Sequence, residues 1–403
     1  MNRKTSQTRK KGIIAGLSLL LLFGPASARA ANKQRAASKM PTLVWPLPPE
    51  KPRIKFVQAI YGAADVEPVK KGNFLDKVAG IQRSGFKRMF SKPFGIATDS
   101  HNRIYVADSG QGLIFVLDRD NKQVTYIGSS AQVRLRLPVG ITVDAKDRIW
   151  VADAVGQHVY AFDGDGGVLM MLGRQDEMLN PTSVAVDDSR NRIYVVDSKL
   201  HKVLVFDTES GQPISTIGER GSGNGQFNFP TQVALDNVGR IYVTDTLNFR
   251  VEVFGPDYKF LESWGKQGNR FGQFLKPKGI AIDPFQNIYV VDSDFDNFQI
   301  FDQQKRLLMS LGSVGSMPGT FWLPAGIHID RNNYIYVSDQ NNRRIQIFKL
   351  LDGATAEPPA QEPKTVAAAV PVPSQGGESG VTTTSGSSHK QVIKNSQEEK
   401  KTP

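Results

Sequence analysis

Pro277-Lys-Gly-Ile-Ala-Ile-Asp283, followed shortly by Ile288-Tyr-Val-Val-Asp292, decides how this chain is read. Two short β-branched runs stand on either side of a turn, and each ends in Asp. The first run returns as Pro93-Phe-Gly-Ile-Ala-Thr-Asp99, Pro138-Val-Gly-Ile-Thr-Val-Asp144, Pro181-Thr-Ser-Val-Ala-Val-Asp187, Pro230-Thr-Gln-Val-Ala-Leu-Asp236 and Pro324-Ala-Gly-Ile-His-Ile-Asp330. The six prolines are 45, 43, 49, 47 and 47 residues apart. The second runs end at Asp108, Asp153, Asp197, Asp245, Asp292 and Asp339. A third run follows, such as Arg250-Val-Glu-Val-Phe254 or Arg344-Ile-Gln-Ile-Phe348, and a fourth, such as Phe260-Leu-Glu-Ser-Trp264.

Short β-branched and aromatic runs bounded by Asp, Asn and Gly read as strands joined by tight turns. Four strands in a unit of this length form one blade of a propeller. A blade has two apolar faces and buries neither alone, whereas a closed ring buries both. The expected fold is therefore all-β, a six-bladed β-propeller of four-stranded blades. The sixth unit stops at Phe348 with no fourth strand. Ile54-Lys-Phe-Val-Gln-Ala-Ile-Tyr-Gly62 resembles Tyr258-Lys-Phe-Leu-Glu-Ser-Trp-Gly265 and is expected to supply it from the N-terminal side.

The linker Gly218-x-x-Gly221-x-x-x-Gly225-x-Phe227-x-x-Pro230 repeats with identical spacing from Gly265 to Pro277 and from Gly312 to Pro324. With the Pro-x-Gly-Ile-Ala-x-Asp, Ile-Tyr-Val-x-Asp and Asn-x-Arg-Ile-Gln-Ile-Phe phrases, it resembles the NHL repeat over about residues 93–349. The Trp-Pro and Pro-Arg-Ile lead-in is similar to that of exported bacterial NHL proteins. Some six-bladed propellers of this appearance are amidating lyases, lactonases or other metal-dependent hydrolases. The lyase resemblance implies a zinc-binding His after the repeat proline. This chain has Phe94, Val139, Thr182, Thr231, Lys278 and Ala325 there.

Outside the ring, residues 1–30 read as a cleaved signal peptide. Arg3, Lys4, Arg9, Lys10 and Lys11 precede the apolar run Ile13–Phe23 and the Ala28-Arg29-Ala30 motif. This places the protein in the periplasm or outside the cell. Residues 31–53 form a Pro-rich lead-in, and 54–350 hold the propeller. Residues 63–92 are expected to form a basic amphipathic helical insertion, and 351–403 a disordered tail poor in large apolar residues. The segment 70–92 is read as a helix packed on the ring, or alternatively as a membrane-surface contact.

Charge is unevenly placed. Of the formal +11, residues 1–30 carry +6 and 31–92 carry +9, while 93–349 carry −3. A slightly acidic ring is not the footprint of a polyanion binder, so no nucleic-acid partner is expected. The chain has no cysteine, which excludes disulfides and thiolate metal sites.

All twelve aligned positions are Asp, and a residue present in every blade is expected to serve every blade, by holding turns. Asp292, Asp294 and Asp296 resemble the start of a calcium loop, but Asn297 and Gln303 replace the Gly and Glu that such a loop needs. No other cofactor is expected. The histidines lie on separate loops, except His328, which replaces Ala or Thr in a first strand and is the one candidate for a channel-facing role.

The loops from second to third strands vary while the strands do not. They are expected on the same face as the linkers, where loops on a rigid scaffold collect recognition residues. Phe249, Phe295, Trp322 and Arg343 are the candidate contacts for a protein or peptide partner. Arg250 and Arg344 are part of the repeat. The chain is thus expected to be a monomeric ring acting as a binding or scaffold module, with a metal-dependent lyase or hydrolase in the central channel as the alternative.

Overall fold

The computed structural model describes residues 42–67, 87–174 and 177–351. The chain divides into two compact units, Met1–Pro358 and Pro359–Pro403, and the second lies wholly outside the described residues. So do the expected signal peptide, most of the insertion (68–86) and the tail from 352. Of the insertion, Ala63–Asp65 form a single 3-10 turn.

Six antiparallel sheets make six blades. Their innermost strands are Pro93–Thr98, Pro138–Val143, Pro181–Asp187, Pro230–Leu235, Pro277–Ile282 and Pro324–Ile329. Consecutive innermost strands touch, and the sixth touches the first, so the ring is closed. At four of the six junctions a glycine permits this approach. A Cβ on Gly95 would sit 2.4 Å from the Val139 carbonyl, and one on Gly326 would sit 2.2 Å from that of Phe94. At those four junctions the glycine two residues after the repeat proline therefore sets the distance between blades. Where glycine is absent, Thr182 donates to the Thr231 carbonyl and Thr231 to that of Lys278, at 3.0 and 3.1 Å.

The core lies between blades rather than within them. Six apolar clusters each join two neighbours. One unites Tyr242, Val251 and Val253 of blade 4 with Ile280, Ile288 and Phe301 of blade 5. Strands buried on both faces explain why the second strands read as unbroken apolar runs rather than as alternations. Linker residues Phe227, Phe274 and Phe321 are fully buried in these clusters. A Cβ on Gly218, Gly265 or Gly312, each at positive φ, would strike the matching Phe ring, which is the physical reason for the repeated Gly–Phe spacing.

Ile54–Ile60 pairs antiparallel with Arg344–Leu350, from Ile54 opposite Leu350 to Ile60 opposite Ile345. The sixth blade is thus completed from the N-terminal side. The structure adds an element that the repeat does not announce: Val44–Trp45 forms a fifth strand on that blade. Trp45 and Phe56 each meet Phe348 edge-on, at ring distances of 5.7 Å.

The twelve aspartates divide into two structural sets. Those after the first strands close the first hairpins. Asp99 accepts from the amides of His101 and Arg103 and from the Tyr105 hydroxyl. Those ending the second strands fasten the incoming linker. Asp108 accepts from Ser91 and Lys92 amides at 2.6 and 3.0 Å, and Asp153 from Arg136 and Leu137 at 2.7 and 2.8 Å. Each is largely committed to backbone donors that would otherwise be buried without partners.

Candidate functional site

Because each first strand starts opposite the end of its second strand (Pro277 pairs with Asp292), linkers and second-to-third-strand loops emerge together. Their contacts confirm the shared face. Phe229, in the linker to blade 4, donates its amide to His201 of the blade-3 loop, and the two rings lie 4.7 Å apart. Leu323, in the linker to blade 6, donates to Asp296 of the blade-5 loop at 2.7 Å.

The four candidate residues all stand on this face over blades 4 to 6, with different surroundings. Trp322 is 53% exposed, its backbone fixed by Asp339. Arg343 is exposed at a left-handed turn position, φ 52°. Phe249 occupies the same turn position two blades earlier, also left-handed, and its ring is partly buried against the cluster between blades 4 and 5. A packing role therefore accounts for much of Phe249. Phe295 is partly buried, its amide bound to Asp292.

Further exposed apolar side chains lie in the same linkers and loops: Phe229, Leu247, Phe271, Val314 and Met317. Phe271, Val314 and Met317 occupy the spacer positions between the fixed linker glycines. A reading weighted towards what repeats passes over them, and their failure to repeat was the available signal.

The carboxylates of the Asp292 turn are held by the protein itself. Asp292 accepts from the amides of Leu275, Lys276, Asp294 and Phe295, and burial raises its pKa despite them. Asp296 serves Leu323, and Asp294 is exposed beside Lys276. Among the described residues no three His, Asp or Glu converge as a metal site.

His328 lies between blades 6 and 1, its Nε2 2.9 Å from the Thr98 hydroxyl and its ring beside Tyr336. Burial pushes its pKa down to about 4, so it is neutral at ordinary pH and acts as a hydrogen-bonding wedge between blades. His158 is tied to the Gly173 carbonyl, and His101 faces solvent beside Asp147.

One buried acid stands out. Glu252 occupies the third-strand position held by Gln299 and Gln346 in the next two blades. All three accept from a linker glycine amide, those of Gly225, Gly272 and Gly319. The glutamines also donate, to the Gln273 and Thr320 carbonyls. Glu252 has no amide, and its Oε2 is buried without a partner. Burial raises its pKa to about 7, outweighing Arg250 at 3.0 Å, while Asp245 adds to the rise. A carboxyl shifted upward on folding stabilises the protein fully below its ordinary value of 4.5, and the gain is lost as pH rises through about 7. Glu252→Gln is expected to remove that loss and to stabilise the fold at pH 8 by about 1–3 kcal/mol, as measured by chemical denaturation across pH. A variant less stable than the parent at pH 8 would refute the assignment.

Comparison with known proteins agrees with this architecture. A family model described as a 6-bladed beta-propeller matches residues 139–219 and 169–239, and the NHL repeat model matches residues 227–254. NHL repeat-containing protein 3 of Mus musculus is 38% identical over 88 residues, 21% of this chain and 25% of that protein. Peptidylglycine alpha-amidating monooxygenase of Rattus norvegicus is 31% identical over 215 residues, 50% of this chain and 18% of that protein. The chain thus spans a quarter or less of the length of these curated relatives. Among solved structures, a gluconolactonase from Xanthomonas campestris superposes with TM-score 0.52 at 14% identity, covering 65% of this chain and 87% of that one. An auxiliary nutrient binding protein from Bacteroides thetaiotaomicron gives TM-score 0.51 at 14% identity, covering 64% and 69%. At such identities the likeness is one of fold alone.

Proposed function

Taking the chain as a six-bladed β-propeller carrying the NHL repeat, we propose that it is a binding or scaffold module for a protein or peptide partner, docked on the linker face. The observation that carries this reading is the non-repeating set of exposed aromatic and apolar side chains over blades 4 to 6, headed by Trp322 and Phe271, with the exposed Arg343 on the blade-6 loop of the same face. A rigid ring whose repeated polar residues are committed to turns leaves these variable loops as the adjustable part. Aromatic and Arg side chains are the usual anchors of protein interfaces. We place the protein in the periplasm or outside the cell, on the strength of its N-terminal sequence.

The test is capture of a partner by the full chain and by a Phe295→Ala/Trp322→Ala/Arg343→Ala variant. Phe249 is left in place because it supports the core. The variant is expected to keep the parent's melting temperature and to lose the partner. Undiminished capture would remove the linker face from the account.

The alternative, a metal-dependent lyase or hydrolase in the channel, draws on the partial match to the amidating monooxygenase. The residues present do not fit such a centre. The six positions after the repeat prolines hold no metal ligand of the His, Asp or Glu type, and His328 is bound to Thr98.

A further inference from the structure

The six residues after the repeat prolines form the collar of the channel on the linker face. The carbonyls of Phe94, Val139, Thr182, Thr231, Lys278 and Ala325 are each met by a neighbouring blade. Five of these residues are apolar or hydroxylic. Both hydroxyls are already engaged: Thr182 with Ser198 and the Thr231 carbonyl, and Thr231 with Thr246 and the Lys278 carbonyl. Lys278 is the exception, a partly buried cation in an otherwise uncharged collar.

Its ammonium makes no hydrogen bond or ion pair with a described residue. Asp294, in the loop of the same blade, is paired with Lys276 at 3.7 Å. Burial lowers the Lys278 pKa, and the charges of Lys276 and Lys92 lower it further, with Asp294 opposing. Lys92 belongs to the linker into blade 1, two blades round the ring. Lys278 stands on Pro277–Ile282, the innermost strand of its blade, which touches the innermost strands of both neighbours, so it belongs to the axial side of the blade rather than to the outer flank. A partly desolvated cation without a counter-charge is costly, and an anion that completes it recovers that cost.

We infer that the linker-face mouth of the channel is a carboxylate-binding site, in which Lys278, assisted by Lys92, receives an acidic side chain or C-terminal carboxylate of the docked peptide. This rests on the binding role proposed above and names the chemistry of the partner. A carboxylate on a peptide suits the collar better than a free phosphate does. One or two flexible ammonium groups match a single negative charge, and the half-exposed ring of Phe94 suits the carbon chain that bears it. Phosphate calls for more donors, typically in a planar fork, and the hydroxyls that might supply them are committed.

The test is calorimetric titration of the full chain with a tetraglutamate peptide and, separately, with inorganic phosphate. The parent is expected to bind the peptide with an affinity that falls as salt rises. Lys278→Met should weaken it about tenfold or more at an unchanged melting temperature. Lys259→Met, at an exposed lysine paired with Asp257 on a distant hairpin, should leave it unaltered. Equal binding by Lys278→Met, or absence of peptide binding by the parent, would overturn the inference. Phosphate binding as tight as the peptide's would also overturn it, in favour of a small-anion site. Partner capture separates this result from the broader reading. If Lys278→Met captures the partner normally while the linker-face triple variant does not, the carboxylate site fails and the binding face stands.

Discussion

Deletion of residues 31–62 is expected to give aggregated or unfolded protein. Those residues supply Ile54–Ile60, the outer strand that completes the sixth blade through six residue pairings with Arg344–Leu350. They also supply Trp45, whose ring fills the space beside Gly319 and Phe348. Without them the third strand of blade 6 presents open N–H and C=O groups, a template for pairing with other chains. Ile54 and Ile60, both fully buried, would leave two interblade clusters incomplete. Loss of either at the truncation to Ala level costs about 2–5 kcal/mol, and total stabilities are commonly only about 5–15 kcal/mol. Size-exclusion chromatography and thermal melting read the outcome. A monomeric truncated chain with the parent's melting temperature would show that the ring does not depend on this strand.

Arg344→Met is expected to destabilise the fold by about 3–5 kcal/mol, whereas Arg343→Ala, at the adjacent residue, should change it by less than about 0.5 kcal/mol. Arg344 is among the largest fully buried side chains. Its guanidinium donates to Asp339 at 2.7 Å and to the carbonyls of Ser316, Met317 and Thr320 at 2.7, 3.0 and 2.9 Å. One side chain therefore ties the second strand's Asp to the whole linker, and Arg250 does the same in blade 4 with Asp245, Ser222, Gly223 and Gln226. Removal would strand a buried carboxylate and three carbonyls at once. Lys in its place keeps the charge but not the fork, and a loss between the two is expected. Denaturant midpoints decide the matter. Equal effects at 343 and 344 would contradict the assignment of one to the linker and the other to the surface.

The two arginines also show what the sequence made legible. Arg344 and Arg250 recur with the NHL phrase, and their structural role followed from that recurrence. The blade count, the closing strand and the work of the aspartates were readable for the same reason: each is a repeated solution to a repeated problem of packing or hydrogen bonding. Features belonging to a single blade were harder to weigh. Phe249 looked like a surface anchor because it breaks the repeat, yet a left-handed turn swings its ring onto the core between blades. Glu252 differs from its glutamine counterparts by one atom type, and only its buried surroundings reveal the missing donor. Lys278 was noted as a residue that is not His. Its position on an uncharged collar, two blades round the ring from Lys92, needed the closed geometry to appear.

The claim that most needs a direct measurement is that the partner docks on the linker face. A binding isotherm for the purified partner should be recorded with three proteins: the parent, Phe295→Ala/Trp322→Ala/Arg343→Ala, and Val238→Ala/Phe285→Ala. The last pair is exposed on the first hairpins, at the opposite face. With all three matched in melting temperature, the linker-face variant is expected to lose measurable binding and the hairpin-face variant to bind as the parent does. The reverse order, with binding lost only in the hairpin-face variant, would contradict the account.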